Sequence, residues 1–80
     1  MAQIDVLTDV IRAEVARYYD GYFSDDDDFT TTLRIASDDL SFMAIELEKK
    51  FGIRLNRQAY AGIGNVRSFA QAIEAALRDV

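Results

Sequence analysis

The chain has 80 residues and a formal net charge of −5, with fourteen acids against nine bases and no cysteine, histidine or proline. This length holds one small domain, residues 1–80, and the acidic balance argues against a binder of phosphate backbones, which needs concentrated bases. Without histidine or cysteine the commonest general base, transition-metal ligand and thiolate nucleophile are missing, so a self-sufficient enzyme is not expected.

The first predicted helix runs from about residue 3 to about 19, because Ile4, Leu7, Ile11, Val15, Tyr18 and Tyr22 recur at steps of three and four. Asp5 and Asp9 lie early on its polar side and Arg12 and Arg17 later, an order that suits the helix dipole, and Gly21 marks its end. From Asp20 to Thr32 the periodicity vanishes. The acidic run Asp25, Asp26, Asp27, Asp28 repels itself and reads as a long loop, tacked onto the core by Phe29 and Leu33. A calcium loop of the EF-hand type beginning at Asp25 would need a glycine and a glutamate where Thr30 and Ala36 stand, so no metal site is expected.

A second helix is predicted from Asp38 to about Phe51, with Ser37 as its N-cap on local reading. Leu40, Met43, Leu47 and Phe51 form its apolar face, Ile45 widens that face, Phe42 stands at its edge as a core residue, and Gly52 breaks the helix. Ile53 and Leu55 alternate with Arg54 and Asn56 as a short extended link. Residues 57–61 form a helical turn ended by Gly62 and Gly64, and a last helix begins near Val66 with Phe69, Ile73 and Leu77 inward. The sum is an all-α domain, a small four-helix bundle of three main helices plus one short helix, with a long first loop. No apolar run is long enough to span a bilayer, and no basic-then-apolar leader is seen, so a cytoplasmic protein without membrane insertion is expected.

One spacing carries more than periodicity. Phe29 stands eight residues before Ser37, Leu33 four before it, and Phe51 fourteen after it, with Met43 and Leu47 between. This ladder resembles the core of acyl and peptidyl carrier proteins, and the resemblance spans Ile4 to Leu77. It implies that Ser37 carries a 4'-phosphopantetheine arm, taken from coenzyme A by a phosphopantetheinyl transferase. An acyl- or aminoacyl-activating enzyme would load the arm as a thioester, and synthase enzymes would process it in a fatty-acid, polyketide or nonribosomal peptide type of pathway.

In the family the serine is preceded by aspartate and followed by leucine. Here Ala36 and Asp38 occupy those places, while Asp39 matches the acid two positions on. A second alignment puts Asp39 in the serine's place and leaves no modifiable hydroxyl, and Ser41 lies a turn further in. Only the ungapped alignment keeps Phe29, Leu33 and Phe51 in register. The resemblance also implies partner recognition through the helix after the serine, by Asp38, Asp39, Leu40, Phe42 and Glu46; the departures from the family pattern point to a specialised pathway, and a monomer is expected. The competing reading is an unmodified carrier-like module that docks through Phe42 and the acidic surface.

Overall fold

A computed structural model describes residues 2–78, without the side chains of residues 2–4 and of Arg57. Four helices follow in order: α1 (Ala2–Val15), α2 (Ser37–Phe51), α3 (Arg57–Ala61) and α4 (Val66–Arg78). The described residues are all helix, turn and loop, so the expected all-α four-helix architecture holds, and no described helix is long and apolar enough to cross a membrane.

Helix α1 packs mainly on α4 and also on α2. Leu7, Ile11 and Val15 are buried on its inner stripe, facing Val66, Phe69, Ala70 and Ile73 of α4 and Met43, Ala44 and Leu47 of α2 in one continuous core. Spacing of three and four puts each set on one helical face, and removing those faces from water is the chief force holding the helices together. The side chain of Ile4, assigned to the same stripe, lies outside the described residues.

Helix α1 stops four residues before the predicted end. Its last turn unwinds through Ala16, Tyr18 and Tyr19, whose amides still reach back to Arg12 and Val15. Tyr22, read as the last residue of the stripe, is 88% exposed, and Phe23 takes the buried place. Gly21, at φ +128°, makes that switch in direction, a conformation open to glycine and strained for any residue with a Cβ.

The long connection between α1 and α2 holds its course because four apolar side chains enter the core: Phe23, Phe29, Leu33 and Ile35. Two of these, Phe23 and Ile35, went unread among their polar neighbours. The aspartate run is spent residue by residue. Asp25 accepts from Arg12 at 2.7 Å, and the same guanidinium donates to the Phe23 carbonyl at 2.7 Å and lies over the Phe23 ring. Asp26 pairs with Arg67 of α4 at 2.6 Å. Asp27 accepts from the Ser24 amide, and Asp28 from the amides of Thr30 and Thr31, both at 2.8 Å. Backbone bonds from Phe29 to Gly64 and from Arg67 to Asp25 fasten the loop to the head of α4. Four adjacent negative charges are tolerated because two face guanidinium groups and two face backbone N–H groups.

This arrangement has a pH signature. Hydrogen bonding to Arg67, then its charge, holds the Asp26 carboxyl below its ordinary value of 3.8, and the amides of Thr31 and Thr30 do the same for Asp28. A carboxylate depressed in the folded state contributes stability above its unfolded pKa and loses it as pH falls through the folded one. The denaturation midpoint is therefore expected to fall as pH drops from about 4 toward about 2. In Asp28→Asn, which keeps an acceptor oxygen but cannot titrate, that fall should be shallower; denaturant melts at several pH values read the difference.

Helix α2 ends as predicted, with Gly52 at φ +66° donating its N–H to the Glu48 carbonyl. The extended link buries Ile53 and Leu55, and the Leu55 amide is held by the Glu48 carboxylate at 2.6 Å. The Asn56 side chain caps α3 through the Ala59 amide. Two expectations for α2 are overturned. Ile45 is 44% exposed and Phe42 58% exposed. At 100° per residue both lie opposite the Met43, Ala44 and Leu47 side that faces the core, so neither widens the buried face.

Candidate functional site

The site is built where the long loop turns into α2. Arg34 sits at φ +56°, the one left-handed residue with a side chain among those described, and it reverses the chain so that Ile35 drops into the core. The Ile35 amide then donates to the Phe29 carbonyl at 2.9 Å, closing the loop on its own anchor. Ala36 follows in extended conformation at φ −63° and ψ +149°, and its carbonyl accepts the first helical bond from Leu40 at 3.0 Å.

Ser37 is the first helical residue and is exposed. The N-cap position belongs to Ala36, and no side chain caps the helix. The serine is therefore not the cap that local reading assigned to it. Its hydroxyl stands at the mouth of a helix whose first amides have no intrahelical acceptor, where an attached anion is favoured. Asp38 and Asp39 share this first turn; Asp38 is exposed and Asp39 half-buried. Both acids suit the helix dipole, and both oppose an added phosphate by like charge.

A turn further on, α2 borders an apolar cleft of about 130 Å³. Leu40 and Ala44 of α2, Phe29 of the loop, Ile63 of the α3–α4 link and Phe69 of α4 line it, with the exposed Ser41 and Tyr60 at its rim. Phe29 and Phe69 meet edge-on with ring centroids 6.4 Å apart, a favourable aromatic contact within that wall. Burial first, then the charge of Glu48, pushes the Tyr60 phenol above its ordinary value, so it stays protonated. The cleft escaped the sequence reading, because its residues come from five segments brought together only by the fold.

Of the residues assigned to partner recognition, Leu40 is half-buried and belongs to the cleft and core edge. Asp38, Phe42 and Glu46 are accessible on α2, with Glu46 3.8 Å from Lys49. Ser37 thus shares the first turn of α2 with the two acids, one turn before the cleft residues Leu40 and Ser41, whereas Phe42 faces away from the core on the other side of the helix. Arg34, three residues before the serine and exposed, was missed; only its left-handed backbone marks it.

No protein-family model matches the chain, and no curated protein matches it.

Proposed function

We propose that the protein is a carrier whose Ser37 receives a 4'-phosphopantetheine arm and bears an acyl or aminoacyl group as a thioester in a specialised biosynthetic pathway. The observation that carries this reading is an exposed serine at the first turn of α2 whose side chain takes no part in capping the helix. It is joined by the ladder spacing around that serine and by a cleft, beginning at Leu40 and Ser41, with room for a short apolar chain.

The chemistry asked of the chain is small. The serine hydroxyl attacks the pyrophosphate of coenzyme A, a phosphodiester forms at Oγ, and the nucleoside bisphosphate leaves. The base that takes the serine proton is assigned to the transferase. Ser37 supplies the nucleophile and α2 its position. Once loaded, the thiol of the arm carries the reactive acyl group, and catalysis belongs to other proteins.

A second reading, an unmodified helical docking module, is favoured by the exposed Phe42 and by Asp38 beside the serine. Intact mass separates the two. Incubation with coenzyme A and a broad-specificity phosphopantetheinyl transferase is expected to add one phosphopantetheine. No gain with several transferases that modify a standard carrier in the same tube would overturn the carrier reading in favour of the docking module.

A further inference from the structure

The outer face of α2 carries a pattern that neither the core nor the serine uses. Asp38, Phe42, Ile45 and Lys49 follow at steps of four, three and four, the spacing of a coiled-coil seam. All four are exposed: Phe42 to 58%, Ile45 to 44%, and the side chain of Lys49 to 71%. Their order is acid, aromatic, aliphatic, base. Turned end for end, it becomes its own complement.

We propose that the protein self-associates as a two-fold symmetric dimer through antiparallel packing of α2 against α2 of a second copy. Centred between Met43 and Ala44, such a dimer sets Asp38 against Lys49 of the second copy and Phe42 against its Ile45, and symmetry repeats both contacts. The two-fold axis requires a self-complementary patch, and four consecutive seam positions satisfy it in one register. The alternative parallel arrangement would stack Asp38 on Asp38 and Lys49 on Lys49, which like charge opposes.

Magnitudes make the dimer weak. Stable interfaces bury about 1,200–2,000 Å² in total, and one face of a fifteen-residue helix offers less. The net charge of −5 on each copy, with Asp39 and Glu46 on one flank of the seam, adds repulsion. A dissociation constant of about 10⁻⁴ M is expected. The contact would set Lys49 of the second copy against Asp38, the neighbour of Ser37, and crowd the approach to that hydroxyl. This last consequence rests on the carrier reading; the dimer itself does not.

The test uses the unmodified chain alone, so its failure is distinct from a failure of modification. Sedimentation equilibrium from about 10 μM to about 1 mM should show mass rising toward twice the chain. Asp38→Lys and Lys49→Asp should each weaken association about tenfold, and the double exchange D38K/K49D should recover it to within a few-fold of the original. Phe42→Ser, which leaves charge untouched, should also weaken it at least tenfold, with helicity by circular dichroism confirming that each variant folds. A chain that stays monomeric throughout, leaving this face to a different protein, overturns the proposal. So does a folded double exchange that associates no better than the single variants.

Discussion

Replacing Ser37 with alanine is expected to abolish the phosphopantetheine mass gain completely while leaving the melting temperature within about 2 °C of the original. The first half follows from the proposed chemistry, because alanine has no oxygen to form the phosphodiester. The second half follows from the backbone. Had Ser37 been the N-cap, its loss would cost about 0.5–2 kcal/mol, which in a domain this small is several degrees. Ala36 holds the cap position, so the serine at the first helical place gives up no capping bond, and alanine is the best helix former. The converse substitution separates the positions further: Ala36→Asp installs the missing cap and should raise the melting temperature by about 4–8 °C. Stability that drops in Ser37→Ala and does not rise in Ala36→Asp would return the cap to Ser37 and remove the main support for its being a free nucleophile. Retained mass gain in Ser37→Ala would move the attachment point, with Ser41 at the rim of the cleft the first place to look.

The site was legible only in part, and the division follows sequence range. Helix ends with their own local chemistry could be read: Gly52 at the end of α2, Gly62 after α3, and the Val66, Phe69, Ile73 stripe of α4, whereas Asn56, the cap of α3, reads in the sequence as part of the extended link. Phe29 and Leu33, read as the anchors of the loop ahead of Ser37, are both buried, while α2 begins at Ser37, one residue earlier than predicted. The connection between α1 and α2 could not be read in the same way. Its order comes from Arg12 with Asp25, thirteen residues apart, and Arg67 with Asp26, forty-one apart, so the aspartate run alone looks like a self-repelling segment. Phe23 and Ile35 left a faint signal as isolated apolar residues in a polar stretch. Phe42 and Ile45 were misread for a different reason: an apolar residue in an amphipathic helix invites assignment to the core, although their angular positions set them opposite it. That error concealed the outer seam of α2.

Phe29→Ala should be the most damaging single substitution tested in this chain. The ring is 2% exposed, meets Phe69 edge-on and forms one wall of the cleft. Its backbone does as much: the amide donates to the Gly64 carbonyl at 2.8 Å and the carbonyl accepts from Ile35 at 2.9 Å. Truncating a buried phenylalanine costs about 3–5 kcal/mol, through lost transfer energy and the cavity left behind. A domain of this size has in total about 4–12 kcal/mol of stability, so the loss is a large share of it. The melting temperature should fall by about 15–30 °C. Tyr22→Ala, seven residues earlier and 88% exposed, should change stability by no more than about 0.5 kcal/mol, which makes it the matched control. Limited proteolysis adds the functional link. With the Phe29 anchor gone, the segment from Gly21 to Ala36 should be cut first, because the bonds to Gly64 and Ile35 depend on where that residue sits, and the entry into α2 that presents Ser37 depends on those bonds. A fall of under about 5 °C with the loop still resistant would mean that the ion pairs of Arg12 and Arg67 hold the loop in place, and that the hydrophobic anchor is secondary.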